Sequence, residues 1–260
     1  MLRFLFCLLF VSFSFYKMVW AHFLWINPRA YCLQPGEELR LTLGFGHNFP
    51  GAGGDFLEAH FLKTLKVFSP SGKEIPIKEG KYPILFKSVS VLQENGSYIV
   101  LAEKKPSFFS KTAWGFVRKP KNKVQDVIEC KFSKRYAKAL IQVEKAKGEI
   151  YRRIFGQELE IIPLKNPSTL KPGDELPLKV IYQGHPLAKE FLFATYEGFS
   201  PTGNKTFFAF ATRTDAQGKV RIRLDHRGVW LLLVALKKPY SKAEVCDVET
   251  VVATFTFELR

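Results

Sequence analysis

Leu39-Arg40-Leu41-Thr42-Leu43-Gly44-Phe45 is the stretch that decides the fold. Leu39, Leu41, Leu43 and Phe45 fall on one face of an extended chain. Arg40, Thr42 and Gly44 fall on the other, which is the period-two signature of a half-buried β-strand. The same kind of pattern recurs on both sides. Phe61 to Phe68 reads as a weaker strand, followed by the turn Pro70-Ser71-Gly72. Ser97 to Ala102 reads as another strand, introduced by Asn95-Gly96.

Further along, seven candidate strands follow in sequence: Leu159 to Leu164, Glu175 to Tyr182, Glu190 to Glu197, Thr206 to Arg213, Lys219 to Leu224, Val229 to Leu236 and Thr250 to Glu258. Pro172-Gly173-Asp174, Gly184-His185-Pro186, Asp215 to Gly218 and Arg227-Gly228 punctuate them as turns. Short strands at this spacing predict an immunoglobulin-like sandwich. One segment reads differently. Across Ser133 to Lys147, Tyr136, Ala139, Leu140 and Val143 recur at helical spacing, with Ser133 as N-cap and Gly148 beyond the end. The expectation is a mainly β protein of two β-sandwich, immunoglobulin-like domains with one short helix between them. Residues 22–155 would form the first and 156–260 the second. Trp25, Trp114 and Trp230 are expected in cores.

Residues 1–21 read as a signal peptide. Arg3 supplies a basic start, Phe4 to Tyr16 is apolar, and Val19 and Ala21 occupy the small-residue positions before a cleavage point. The apolar run, about 13 residues, is too short to span a bilayer comfortably. Cleavage after Ala21 would leave 37 basic residues against 24 acidic ones, and three cysteines, Cys32, Cys130 and Cys246. Three thiols allow one disulfide and one free thiol, or none paired. The expected location is the periplasm or outside the cell.

The 260-residue chain has 25 Phe, a formal charge of +15 and no fibrous or multi-pass membrane pattern. It shows no GxSxG elbow, P-loop, HExxH or GxGxxG opening a helix, so no enzyme is expected. An exported chain seldom meets nucleic acid, so dispersed lysines or attraction to an anionic membrane explain its basic surplus.

Three of the five histidines crowd the start of the mature chain: His22, His47 and His60. His22 would become the first residue, where a free α-amine, of pKa about 7.7–8.0, can yield its proton to a divalent ion. The amine and ring Nδ1 of a terminal histidine chelate one ion together. His47 sits where the alternating strand enters a Gly-rich loop, and His60 follows that loop. Asp55 and Glu58 are candidates to complete the set or to support it. Imidazole donors suit nickel, cobalt, copper and zinc.

Ala21-His22-Phe23-Leu24-Trp25-Ile26, the loop Gly46-His47-Asn48-Phe49-Pro50-Gly51, and the pattern from Thr214-Asp215-Ala216-Gln217-Gly218 to Gly228-Val229-Trp230 carry a resemblance. So do Pro163 to Pro167, Lys171 to Asp174 and Tyr182-Gln183-Gly184. Over essentially the whole mature chain these resemble a secreted bacterial family, a domain of unknown function described as the periplasmic component of nickel or cobalt uptake and similar to NikM-like proteins. The resemblance implies a nickel or cobalt ion as cargo, His22 and His47 as ligands with His60 beside them, and a membrane metal-uptake transporter as partner. NikM-like transport subunits generally include membrane helices. This sequence has none after the signal segment, so capture or delivery is implied rather than permeation. The other readings are an adhesion or carbohydrate-binding sandwich with incidental histidines, and a histidine-brace copper protein.

Overall fold

A computed structural model describes residues 22–47, 49–51, 55–82, 84–200 and 208–260. The expected signal peptide and the Gly-rich stretch 52–54 lie outside the described residues. The first third supplies β1 (Phe23–Pro28), β2 (Cys32–Leu33), β3 (Arg40–Gly46), β4 (Leu62–Phe68), β5 (Glu74–Ile75) and β6 (Ile77–Glu79). Next come β7 (Leu85–Ser88), β8 (Gly96–Thr112), β9 (Gly115–Val117), β10 (Val127–Val143), β11 (Leu159–Pro163) and β12 (Glu175–Tyr182). The rest are β13 (His185–Pro186), β14 (Phe191–Tyr196), β15 (Phe210–Arg213), β16 (Lys219–Arg223), β17 (Gly228–Pro239) and β18 (Val248–Leu259). Helical structure among the described residues is limited to single 3-10 turns.

A ten-stranded sheet runs through the molecule in the order β15-β14-β17-β18-β10-β8-β4-β5, with β2 added to β10 and β9 to β8. Its centre is a parallel pair, β10 beside β18, in register from Lys131 opposite Val248 to Ala139 opposite Thr256. Two smaller sheets cover it. The sheet β1-β3-β7-β6 encloses one core with Leu24, Ile26, Leu41, Leu43, Val100 and Ile141. The sheet of β11, β12, β13 and β16 encloses a second with Leu159, Leu178, Trp230, Phe255 and Phe257. The protein is therefore mainly β, built as two sandwiches on one long sheet.

The expected helix at Ser133–Lys147 is a correction: Val127–Val143 is a 17-residue strand. Ala137, Ala139, Ile141 and Val143 point into the first core, while Tyr136 and Leu140 point into the second. A strand buried on both faces loses its polar/apolar alternation. Its apolar residues then coincide with a 3.6-residue spacing by accident. Between Tyr136 and Leu140 stands Lys138, also inside, its Nζ 2.8 Å from Oε2 of buried Glu160 on β11.

The expected core position of Trp114 is likewise a correction, because it is 89% exposed, whereas Trp25 and Trp230 are fully buried. Trp114 lies in the two-residue turn Ala113-Trp114 that joins β8 to β9, closing the pair Thr112 opposite Gly115. Here β8 and β10 outrun their neighbours. β4 pairs with β8 only as far as Lys104, and β18 meets β10 only from Lys131 onward. The ends of β8, β9 and β10 thus form a three-stranded arm.

A disulfide joins Cys130, at the base of the arm, to Cys246, 116 positions away. Among the described residues Cys32 is the free cysteine, and burial pushes its thiol up to about 11, so it is a thiol rather than a thiolate at neutral pH.

Candidate metal site at the start of the first strand

The antiparallel register of β1 and β3 sets Phe23 opposite Gly46 and Leu24 opposite Phe45. Just beyond the end of this register lie His22 and His47. Their rings meet edge to face with centroids 4.5 Å apart, and the His22 ring also meets Phe45 at 5.3 Å. The glycines of β3 make this possible. A Cβ at Gly44 would stand 2.0 Å from the Trp25 indole, and one at Gly46 would stand 2.5 Å from the Asp55 carboxylate. Gly44 therefore admits Trp25 over the strand, and Gly46 admits Asp55.

The loop between β3 and Asp55 is held at both ends. The indole Nε1 of Trp25 and the amide of Asn27 both donate to the Pro50 carbonyl, at 3.2 and 2.9 Å. On the far edge of β3, the Phe45 N–H donates to the Asp55 carbonyl and the Leu57 N–H to the Leu43 carbonyl, each at 2.8 Å. The chain leaves β3 at His47, beside β1, and returns along its other edge at Asp55.

Burial holds the His22 imidazole below the usual histidine pKa, reinforced by His47, while Asp55 opposes the shift and Arg135 adds to it. The ring is accordingly biased toward the neutral, ligating form. His60 and Glu58 make a pair of their own, Nδ1 to Oε2 at 3.3 Å, on an exposed 3-10 turn where the His60 ring packs on Phe61. Among the described residues, no group of three His, Cys, Asp or Glu side chains is arranged to hold a metal ion. Two imidazoles come together, so a third donor would have to be the main-chain nitrogen of His22 once freed by cleavage.

The sequence reading missed two cations that frame this corner. Lys104 and Arg135 lie directly opposite each other on β8 and β10, and both are buried. Like charges in that relation repel unless they are well solvated by the protein. Arg135 donates from Nε to the His22 carbonyl at 2.7 Å, and from Nη1 to the carbonyls of Lys134 and Thr250. Lys104 donates to the Lys105 carbonyl and Ser107 Oγ, and its Nζ lies over the rings of Phe45 and Phe61. Burial pushes Lys104 down to about 8, aided by Arg135 and Arg118. Arg135 thus anchors the main chain of the residue whose nitrogens would bind. Reading this segment as a helix hid it, because its strand partner Lys104 was then out of view.

Residues 19–238 match the family described as Domain of unknown function (DUF4198). The chain belongs to this family. No curated protein matches the chain. Among solved structures, a DUF4785 family protein of Legionella pneumophila aligns at 9% identity and TM-score 0.24, over 80% of this chain and 50% of that one. This chain therefore spans half of that protein's length. The D0-D1 domain of intimin aligns at 12% identity and TM-score 0.23, over 90% of this chain and 97% of that one. The Yersinia pseudotuberculosis adhesin InvE aligns at 13% identity and TM-score 0.21, covering 90% and 58%. Scores this low leave the DUF4198 fold to rest on its own strand pairing.

Proposed function

We propose that this DUF4198 protein is an exported, non-enzymatic carrier that captures a nickel or cobalt ion, as in the periplasmic component of a NikM-like uptake system, and delivers it to a membrane transporter. The observation that carries this reading is the meeting of the His22 and His47 rings, 4.5 Å apart, just beyond the β1–β3 register. The α-amine and Nδ1 of His22 and one nitrogen of His47 would hold the ion, a nitrogen-rich set suited to nickel, cobalt or copper. Asp55, across Gly46, supports the site by its charge. Arg135 fixes the His22 carbonyl, so the chelating residue is ordered before the ion arrives. The disulfide Cys130–Cys246 agrees with an oxidising compartment.

The test is metal affinity of protein exported through its own signal, beside protein with extra residues ahead of His22 and beside His47→Ala. Tight binding by the native terminus alone, lost in His47→Ala, is expected. Equal affinity in all three refutes the site. Redox turnover with copper and a reductant would replace carriage by the histidine-brace reading. Absence of any binding would leave the adhesion or carbohydrate-binding reading.

A further inference from the structure

The three-stranded arm at the ends of β8, β9 and β10 lies beyond the metal reading and does not depend on it. Its apolar side chains face water: Trp114 is 89% exposed, Phe116 65% and Ile128 63%. Phe109 and Phe116 stack on each other at 4.9 Å on the outer surface. Such a cluster is expensive to leave in solvent and marks a contact surface.

The arm holds this cluster rigidly. Thr112 Oγ1 donates to the Gly115 carbonyl and accepts from the Trp114 N–H, fixing the turn at 2.9 and 3.2 Å. Ser110 Oγ donates to the Lys119 carbonyl at 2.7 Å. At the base, Asp247 pairs with Lys121 and accepts from the Cys130 N–H at 2.7 Å, beside the disulfide. Little freedom remains to be lost on docking.

Charge selects the partner. Residues 104–125 contain seven Lys and Arg and no Asp or Glu; the acids of the arm are Asp126 and Glu129 at the start of β10, and Glu129 pairs with Lys131 and Lys237. Lys104 is buried, Lys121 is paired, Lys105 donates to the His60 carbonyl and Arg118 lies over Phe61. Lys111 and Lys119 are exposed beside the aromatic pair, and Lys123 on the following 3-10 turn. A second copy of this chain, with 37 basic residues against 24 acidic after cleavage, is disfavoured by like charge. Edge pairing with another strand is disfavoured too, since β9 has three residues and runs into Lys119-Pro120. Exposed Trp and Phe ringed by Lys and Arg suit the headgroup layer of a bilayer, where the rings enter the interface and the cations meet phosphates.

We infer that the β8–β9 turn, with Trp114, Phe116 and Phe109 at its tip and the surrounding lysines and Arg118, docks the protein on an anionic phospholipid surface. For an exported protein this surface is a membrane leaflet facing the compartment it enters.

The test uses the exported protein with vesicles of phosphatidylcholine, with and without phosphatidylglycerol. Sedimentation should show binding to the anionic vesicles, weakening as salt is raised. In protein cleaved after Ala21, Trp20 is gone and Trp25 and Trp230 are fully buried, so a blue shift of emission on vesicle binding should come from Trp114 and vanish in Trp114→Ser. Trp114→Ser/Phe116→Ser should weaken binding about tenfold or more. Lys111→Glu/Lys119→Glu should weaken it as well. All four side chains are exposed, and unchanged circular dichroism would exclude misfolding as the cause. No binding to anionic vesicles overturns the inference. So does binding that depends on the lysines but is unaffected by the aromatic substitutions, which would be charge attraction alone.

Discussion

Lys138→Met tests how the two sandwiches are joined. Lys138 is 1% exposed and Glu160 0%, and their 2.8 Å pair is the direct charge contact between β10 and β11. Methionine fills the space of the lysine stem but removes the ammonium. Breaking a buried pair from one side costs about 3–5 kcal/mol, because the surviving charge is left in an apolar surround. Glu160 keeps other partners here. Its Oε1 accepts from the N–H groups of Phe155, Gly156 and Gln157 at 3.1, 2.7 and 3.0 Å. Those donors place the expected loss at the lower end, about 3 kcal/mol. At roughly 2–4 °C per kcal/mol for a chain of this size, Tm should fall by about 6–12 °C. The assay is guanidinium unfolding of the wild type, Lys138→Met, Glu160→Gln and the double variant. Neutral glutamine still accepts from the backbone without stranding a charge. The double variant should therefore lose less than the sum of the singles, by about 1 kcal/mol or more. A loss below about 1 kcal/mol for Lys138→Met, or strict additivity, would refute the view that this pair is a coupled charge contact.

Three further outcomes are expected. Gly44→Ala drives a Cβ to within 2.0 Å of the Trp25 indole, so it should cost about 1–3 kcal/mol or more and disturb near-ultraviolet dichroism, with the Trp25–Pro50 bond displaced. Reducing the Cys130–Cys246 disulfide should lower stability by about 2–5 kcal/mol, read as a reductant-dependent fall in the unfolding midpoint. Lys104, pushed down to about 8 by burial, gives a pH signature: above that value the unfolded chain binds more protons than the folded one. Stability contributed by Lys104 should therefore rise between about pH 8 and its unfolded pKa near 10.4, and be lost as pH falls back through 8. Lys104→Met should flatten that rise in pH-dependent unfolding, and an unchanged slope would refute the assignment.

Strands with one wet face were legible in the sequence. Glu175–Tyr182 has the expected bounds, and the strand expected over Glu37 to Phe45 is found at Arg40–Gly46. The exception is instructive. From Arg135 to Val143 both faces are covered, so the period of two is lost and the apolar positions fall at helical spacing. Its buried Arg135 and Lys138 stand outside the apolar set Tyr136, Ala139, Leu140 and Val143, and each is held by partners distant in sequence. Trp114 misled in the opposite direction, because an aromatic in a turn carries no periodic mark of the side on which it ends. At the candidate site, residue type and closeness to the expected cleavage point single out His22 and His47. Their meeting follows from the register between β1 and β3, which no spacing along the chain reveals. Pairing of His60 with Glu58 was equally out of reach, because it depends on how the chain turns after the loop.

The parallel seam between β10 and β18 has a consequence for biogenesis. β1 lies against this seam, and Thr254 donates to the Leu24 carbonyl across 230 positions of sequence, so the first sandwich is incomplete until β18 arrives. A polypeptide made from its N-terminus cannot finish that unit early. On the proposed export route, the leading half would wait as unclosed strands until its distant partner emerged. Such delayed closure would keep the chain threadable, and it would also leave the emerging segment exposed to chaperones.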